Sequence, residues 1–566
     1  MASNRRQPKA ELLKVWNNWE DGVGYYKDTE GTNGLYSARL FVGVNGMLQV
    51  TPRINDINLT ATHAAHTDTF IPQYFFEASD STPSPRLYVI SNTHTNRSTS
   101  GTPDLIKLDL GNSTFGTIRA RRALTSRTYP TGQPAKFQGN WYFSGSTTAA
   151  VGDQRITQLT TVTAGAGADV FTETATNAAF AGTHLGLINN QLCKYIQGSG
   201  VNILATDGTF TTTTDWGSFF EVGDRDEAAL ALAALRGAMF TYSRTGIHSF
   251  NDRGRSGLVV EDMASWSEYL TPQYMKPWKE GLLIAHPTGL LYYVPGNPPI
   301  NIGISAKEQS PLVPLFTFST GVELRGGKYH GFDVVGDNIY ALYIDNADSG
   351  QAVSALALLL WGRAINSNPL NVSWNVVGAS QVDDVRRFHG FYIAKNGEPI
   401  DADVSTPTLF WPKENADSTS HLGYIPIAGD GSFVVPRTRD EFLNVNSSTS
   451  VSVPNSEAYF SELMFPDGVD LTDIVIFTQD MAVGDSLEIR LLTDSQEKPI
   501  TAGTDPVFDD KQACSPIQGN GRHLRKLKKQ DVYRVMLHLT FLTSTPTGRT
   551  TPLPSIRQVA LYGLPK

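Results

Sequence analysis

Pairs of short apolar strands, each folded about a tight turn, recur along most of this 566-residue chain. In RGAMFTYSRTGIHSF (236–250), Met239 and Phe240 lead into a turn where Gly246 supplies the positive φ that tight hairpins need. Turns of this kind are centred near residues 45, 97, 139, 189, 245, 288, 336 and 396. The steps between them run from 42 to 60 residues and average about 50, so the hairpins are copies of one repeating unit.

A repeat of this length predicts an all-β fold, and within that class a β-propeller. Each step holds one strongly apolar hairpin and one more polar strand pair, such as LFTFSTGVELRGG (315–327). Eight hairpins indicate about seven blades, because the first and last segments can share one closing blade; six or eight blades stay open. The competing interpretation is a series of unrelated β-sandwiches. Neither a WD40 motif nor an Asp-box occurs, so the named propeller motifs do not decide between the two.

Two segments depart from the strand pattern and favour helices. DRDEAALALAALRG (224–237) has Asp224 at an N-cap position, Glu227 three residues later and Gly237 near its end. We expect it to form a single helix inserted between blades. AELLKVWNNW (10–19) is a weaker case, in which three apolar residues would share one face of a helix: Leu12, Trp16 and Trp19. We expect this N-terminal arm to pack on a neighbouring chain.

The pattern of the sequence changes from about Ser447 onward. Strands with alternating polar and apolar residues continue, as in SLEIRLLTD and SIRQVALYGLP, but the period of about 50 residues is lost. Roughly six to eight strands without that period predict a separate β-sandwich. The chain is therefore expected to divide into an N-terminal arm (1–30), a β-propeller (31–446) and a C-terminal β-sandwich (447–566).

Composition limits what such a chain can bind. A formal net charge of −9 argues against a general nucleic-acid binder, which would be basic, so DNA contact is not expected. The only two cysteines, Cys193 and Cys514, exclude a disulfide framework and a cysteine zinc site; we expect two buried free thiols. The start has no secretory pattern, and the longest apolar stretch, AVSALALLLW (352–361), is too short for a bilayer span. A soluble protein made in a reducing cytosol is expected.

Two patterns resemble metal sites, and neither is convincing. His63 and His66 lie three residues apart, but their Thr and Ala neighbours do not favour a helix and no third ligand is adjacent. DNADSGQ (345–351) lacks the terminal Glu of a calcium loop and is better explained as a turn. We predict no metal-binding residue and no cofactor.

One pattern resembles a catalytic site. QVDDVRRFHG (381–390) places Asp383 and Asp384 near His389, and paired carboxylates can perform acid–base or glycosidic chemistry. The two arginines between them and the histidine make an ion-paired loop between blades the simpler explanation. We therefore predict no catalytic residue, and the protein is not expected to be an enzyme.

GRHLRKLKKQ (521–530) is the densest basic run. It either docks an acidic partner, such as a neighbouring subunit or DNA, or forms a solvated strand edge that discourages stray pairing; the second interpretation is favoured. Its cations are Arg522, Arg525, Lys526, Lys528 and Lys529. Four tryptophans are candidates for stacking on glycans, although packing between blades is the commoner role of such residues: Trp216, Trp266, Trp278 and Trp411.

Three stretches resemble virion proteins of tailed bacteriophages: SRTGIHSF with GRSGLVVEDM, then RRFHGFYIAKNG, and above all the closing VMLHLTFLTSTPTGRTTPLPSIRQVALYG (535–563). The resemblance implies a structural and adhesive part of the tail, its tip or baseplate. The implied partners are other virion tail proteins, copies of this chain in a symmetric assembly, and a host cell-surface glycan or receptor. The implied location is the virion tail, after synthesis in the host cytoplasm, and no catalytic residue carries over.

A second function class stays open beside this resemblance. A soluble carbohydrate-binding or carbohydrate-cleaving propeller would also fit the repeat. It predicts a monomer with one deep polar pocket at the ring centre and carboxylates that converge there, whereas a virion part predicts large contacts with other chains.

Overall fold

The structure is a computed structural model. It describes residues 10–17, 19, 35–39, 41–44, 47–50, 55–58, 69–79, 85–94, 104–109, 117–123, 129–130, 133–146, 154–161, 171–175, 184–196, 200–206, 208–217, 221–222, 231–242, 246–251, 256–261, 275–286, 289–303, 328–344, 355–382, 391–394, 407–414, 420–433, 456–460, 463–494, 512–513, 517–542 and 554–566. Most of these residues are in β-strands, with short 3₁₀ helices at Thr213–Asp215 and Ile365–Ser367. The all-β class is confirmed. No helix in these ranges is long and apolar enough to cross a membrane.

Five strands come first along the chain. They are β1 (Glu11–Trp16), β2 (Leu35–Arg39), β3 (Phe41–Val44), β4 (Met47–Val50) and β5 (Asn55–Asn58).

Seven small antiparallel sheets follow within the described part of 69–426, and we number them in chain order. Sheet 1 holds β6 (Thr69–Ser79), β7 (Pro85–His94), β8 (Asp104–Asp109) and β9 (Thr117–Ala123). Sheet 2 holds β10 (Tyr129–Pro130), β11 (Ala135–Phe137), β12 (Asn140–Ser146), β13 (Gln154–Thr161) and β14 (Phe171–Ala175). Sheet 3 holds β15 (His184–Ile188), β16 (Gln191–Ile196) and β17 (Gly200–Ile203).

The remaining four sheets have the same form. Sheet 4 holds β18 (Ala231–Leu235), β19 (Ala238–Tyr242), β20 (Gly246–Asn251) and β21 (Ser256–Glu261). Sheet 5 holds β22 (Met275–Trp278), β23 (Gly281–His286), β24 (Gly289–Tyr293) and β25 (Ile300–Asn301). Sheet 6 holds β26 (Lys328–Val335), β27 (Asn338–Ile344), β28 (Ala355–Ala364) and β29 (Val372–Val382). Sheet 7 holds β30 (Tyr392–Ala394), β31 (Thr408–Glu414) and β32 (Ser420–Pro426).

The chain ends in six further strands. They are β33 (Ser456–Phe460), β34 (Leu463–Gln479), β35 (Ser486–Asp494), β36 (Gln512–Ala513), β37 (Gly521–Leu542) and β38 (Ser555–Pro565).

Successive sheets contact one another, and the last contacts the first. First strands meet between sheets 3 and 4, 4 and 5, 6 and 7, and 7 and 1. Strands β11 and β12 of sheet 2 meet β15 of sheet 3, and β26 of sheet 6 meets β23 and β24 of sheet 5. Sheets 1 and 2 share a core that includes Phe76, Tyr88 and Phe143. Strand β5, which precedes sheet 1 along the chain, pairs with β32 and completes sheet 7. The sheets therefore form a closed circuit whose first strands lie innermost.

Local turn chemistry explains why the hairpins form. Between β15 and β16 the two turn residues Asn189 and Asn190 have φ values of 46° and 62°. Between β11 and β12, Gln138 and Gly139 have φ values of 47° and 82°. Two successive positive φ angles give a turn whose twist matches that of the flanking strands. These hairpins confirm the predicted turns near 139 and 189.

Side chains between the sheets are largely apolar and aromatic, with a few hydrogen bonds that fix their relative positions. The Tyr242 hydroxyl of sheet 4 donates to the Ala285 carbonyl of sheet 5 at 2.8 Å. The Trp374 indole of sheet 6 donates to the Ile302 carbonyl just after β25 at 2.6 Å. Buried indole and phenol groups need such partners, and here the partners lie on the neighbouring sheet.

The C-terminal strands form one ten-stranded antiparallel sheet in the described residues, with the order β2-β33-β37-β34-β38-β4-β3 and with β1, β35 and β36 at its sides. The 22-residue β37 pairs with β34 over 521–535, with β35 over 534–542 and with β33 over 538–541. Side chains of both halves enclose one apolar core. Division into the two sheets of a sandwich stays a prediction.

Both predicted helices are wrong where the structure describes them. Residues 231–235 form β18, whose side chains alternate between buried and more exposed positions, because β19 supplies a hydrogen-bonded partner that overrides helix propensity. Residues 11–16 form β1, which pairs with β38. Leu12 is 52% exposed, while Trp16 and Trp19 are buried in the C-terminal core, so the two tryptophans pack on their own chain rather than on a neighbour.

Two hairpins lie in places that the repeat did not predict. The 40–50 hairpin, β3 with β4, joins the C-terminal sheet through β38 rather than one of the seven small sheets. Strands β2 and β3 also contact β29 of sheet 6. Strand β30 pairs with β31, which begins at Thr408, well beyond the predicted turn near 396. That turn and the predicted strand pair at 315–327 both lie outside the described residues.

The C-terminal core predicts a pH dependence of stability. Burial, with a further contribution from the charge of Arg490, lowers the pKa of His538 to about 3. The unfolded chain takes up this proton near pH 6.5, so its contribution to stability is complete above that pH and is lost as the pH falls toward 3. We expect His538→Gln to reduce the loss of unfolding free energy between about pH 7 and about pH 5 by about 2 kcal/mol.

Chemical denaturation of both proteins at the two pH values measures this difference. Leu539→Val is the control, because Leu539 is a buried residue of the same strand without a titratable group. This variant should keep the pH dependence of the unmodified chain. Equal acid sensitivity in the unmodified chain and His538→Gln would contradict the assignment.

Candidate functional site

Four polar side chains lie on the innermost strands of four consecutive sheets, and we call them the inner-strand cluster. Lys276 is on β22, Asp333 on β26, Tyr392 on β30 and Glu77 on β6. They therefore come from sheets 5, 6, 7 and 1, in the order in which those sheets contact one another.

Asp333 is the centre of the inner-strand cluster. The Lys276 ammonium donates to its Oδ1 at 2.9 Å, and the side chains of this ion pair are 23% and 13% exposed. The backbone N–H of Val334 donates to the same oxygen at 2.9 Å. The backbone N–H of Ile393 donates to Oδ2 at 2.7 Å. One carboxylate thus joins three successive sheets through charge-assisted hydrogen bonds, which are stronger than neutral ones.

Tyr392 continues the cluster from sheet 7 to sheet 1. Its hydroxyl donates to Glu77 Oε2 over a long 3.4 Å, and its ring stacks on Phe75 with centroids 6.0 Å apart and planes 13° apart. Burial, and then the negative charges of Glu77 and Asp333, raise the pKa of Tyr392 far above its usual value. The phenol therefore stays protonated and acts as a hydrogen-bond donor.

The two carboxylates of the cluster differ in what they can do. Asp333 accepts three hydrogen bonds from the protein itself, so its chemistry is structural. Glu77 is half-buried and contacts the protonated phenol of Tyr392, which is an arrangement able to bind a hydroxyl-rich ligand or to exchange a proton with it.

A second buried polar group lies between sheets 2 and 3. The Lys194 ammonium is 4.3 Å from the centroid of the Trp216 ring, in the geometry of a cation–π contact. Burial lowers the pKa of Lys194 to about 8. Neither this lysine nor the inner-strand cluster was predicted, because nothing in the local sequence around these residues marks them as unusual.

Most residues that the sequence singled out for chemistry lie outside the described residues. These are His63, His66, Asp383, Asp384, His389, Cys514, Trp266 and the 345–351 segment. Cys193 is a buried free thiol as expected, and burial raises its pKa to about 12. Trp216, Trp278 and Trp411 are buried, as packing between sheets requires. Among the described residues, no group of three His, Cys, Asp or Glu side chains is placed to hold a metal ion.

The basic run at 521–530 forms the first half of β37. Over residues 521–532 its recorded strand partner in the described part of the chain is β34, on one side only. Arg522 is exposed, Leu524 is 43% exposed, and Lys526 forms an ion pair with Asp473 at 2.6 Å. Among the described residues the run is therefore a strand edge, while its role in discouraging stray pairing stays a prediction.

No protein-family model matches this chain, and no curated protein matches it. Among solved structures, the extracellular domain of a one-component system from B. thetaiotaomicron has a TM-score of 0.36 at 10% identity over 93% of this chain, which spans only 63% of that domain. YCF48 bound to D1 peptide gives 0.34 at 11% identity, with 66% of this chain and 97% of that one covered. A Trypanosoma rangeli sialidase mutant gives 0.27 at 9% identity, with 98% and 95% covered. TM-scores below 0.5 carry no information about function.

The bonds of Asp333 predict a large effect of a small substitution. Asp333→Asn removes the charge that balances Lys276 and leaves one of the three donors without an acceptor, so we expect a loss of about 2 to 4 kcal/mol of unfolding free energy. Asp337→Asn is the matched control, because Asp337 of sheet 6 also pairs with a sheet 5 lysine, Lys279, but with a 35% exposed side chain. It should cost less than about 1 kcal/mol. Denaturant titration measures both, and equal losses would contradict the bridging role of Asp333.

Proposed function

We propose that this chain is a structural and adhesive component of a tailed-bacteriophage virion, located in the tail or at its tip. The seven small sheets are the blades of a seven-bladed β-propeller, and the C-terminal strands are a β-sandwich. The propeller is a rigid disc, and the C-terminal unit attaches it to neighbours. Other tail proteins, copies of this chain and a host cell-surface glycan or receptor are its partners.

Two observations support the architecture. Propellers have four to eight blades of about four strands, and the seven sheets here hold three to five strands each in the described residues. The pairing of β5 with β32 closes the ring with a strand from its other end, which is the sharing of one blade between the first and last segments that the repeat indicates.

The hydrogen bonds that Asp333 accepts are the observation that best supports the structural role. Its three hydrogen bonds run to Lys276, Val334 and Ile393 of its own ring. A carboxylate at the inner strands that is fully occupied by neighbouring sheets makes the ring rigid. The location in a virion rests on the resemblance of the 535–563 stretch to phage tail proteins.

Immunogold electron microscopy with antibody against this chain tests the proposal, using phage particles purified from the source that encodes it. We expect gold at one end of the tail, because a tail component occupies one station in several copies. Unlabelled particles, with the protein free in the lysate, would contradict it.

The contact between Glu77 and Tyr392 favours a second candidate function, a carbohydrate-binding or carbohydrate-cleaving propeller. Both side chains are half-buried on inner strands, and Asp333 also acts on the Tyr392 hydroxyl through its charge. Carboxylates near one phenol at the ring centre are what this candidate requires.

A polysaccharide screen distinguishes the two functions. Binding alone fits both, since a virion part can also contact a host glycan, so cleavage is the deciding result. If the second candidate holds in its cleaving form, the unmodified chain cleaves a polysaccharide, and Glu77→Gln lowers cleavage by at least about a hundredfold because the carboxylate that exchanges protons is gone. Asp337→Asn, which changes a half-exposed carboxylate outside the cluster, should cleave normally. A structural component instead shows no cleavage in any of the three proteins.

A further inference from the structure

The edge of β37 over residues 521–530 combines three properties that the proposed function does not use. It is regular β-structure, its outward side has no recorded strand partner among the described residues, and it is strongly basic. We propose that this edge binds an extended acidic polypeptide segment of a partner protein, which adds to the sheet as one more strand.

The backbone supplies the binding energy of such an addition. Every second residue of a strand edge presents its N–H and C=O outward, and an extended peptide bonds to these groups as a neighbouring strand would. Between Gly521 and Lys526 the register of β37 on β34 is continuous, whereas irregularities begin beyond Lys526. The edge over 521–526 is therefore straight enough to accept a strand.

The side chains select the charge of the partner. Arg522 and Lys526 are exposed at alternate positions of the strand, with Leu524 between them at 43% exposure. An apolar residue flanked by two cations on one face matches a strand in which acidic and apolar residues share that face. Lys526 contacts Asp473 of β34, which shows that this face accepts a carboxylate.

Charge also argues against two other occupants. A second copy that paired edge to edge would place the same five cations against each other, and like charges on facing strands are destabilising. Double-stranded DNA would meet a chain whose net charge is −9, so general repulsion would oppose a single basic strand. With these two excluded, an acidic extended segment is the occupant that the charges favour. This inference does not depend on the proposed virion role.

The test uses the full chain and a labelled Glu–Val peptide of about ten residues. Glu and Val take turns at every second position, with Thr between them (Glu-Thr-Val-Thr repeated), so that Glu and Val share one face of the strand. Fluorescence anisotropy should show binding that weakens as salt rises, and a Lys–Val peptide of the same length should not bind. Combining Arg522→Glu with Lys526→Gln should weaken binding roughly tenfold, because both exposed cations are lost. The matched control is Arg557→Glu, an exposed arginine of β38 in the same sheet, which should change binding by less than about twofold.

Hydrogen–deuterium exchange then reports the mode of binding. Bound peptide should slow amide exchange within 521–530, since strand addition occupies the outward N–H groups. Melting temperatures of both variants should match that of the unmodified chain, which excludes unfolding as the cause of lost binding. Three results would each overturn the proposal: no binding of the Glu–Val peptide, binding without protection of 521–530, or tighter binding of a DNA duplex that the double variant abolishes.

Discussion

The pairing of β5 with β32 is the interaction on which the ring of sheets depends. Sheets 1 to 7 otherwise contact their neighbours along the chain, whereas the contacts at this junction join the beginning of the ring to its far end. Closing a loop of some 360 residues costs about 5 kcal/mol of chain entropy beyond a constant. The backbone hydrogen bonds of β5 help to offset that cost, and the Tyr392–Phe75 stack and Tyr392–Glu77 hydrogen bond lie at the same junction.

The inner-strand cluster fixes the position of each sheet relative to the next. Apolar side chains hold two sheets together but tolerate small shifts, because the hydrophobic effect has no direction. Asp333 does not tolerate them, since its bonds to Lys276 and the Ile393 N–H form only when sheets 5, 6 and 7 are in register. A buried ion pair stabilises little in itself, yet breaking it is costly. The cluster therefore gives one relative position of sheets 5, 6 and 7 a lower free energy than slightly shifted positions.

Sequence patterns predicted the turns and strands that depend on local residues. They failed where residues distant in the chain determine the structure. The Asn189–Asn190 turn and the β35 and β38 strands follow from patterns a few residues long, and the structure has them where those patterns place them. The alanine-rich 231–235 segment becomes a strand because β19 pairs with it, which propensity cannot register. The inner-strand cluster could not be predicted from the sequence either, because its bonded residues lie 57, 60 and 315 positions apart in the chain.

The 40–50 hairpin shows that a turn signal identifies a hairpin without identifying its sheet. Its apolar strands resemble those of the ring, but β4 pairs with β38 and β3 contacts β29. Only four residues separate β4 from β5, the strand that closes the ring, so one short stretch of backbone belongs to both units. A displacement of the C-terminal sheet would therefore act on β29 through its contact with β3, and on the closing strand through the short connection from β4. The two units are therefore joined twice, by this short connection and by the contact of β3 with β29.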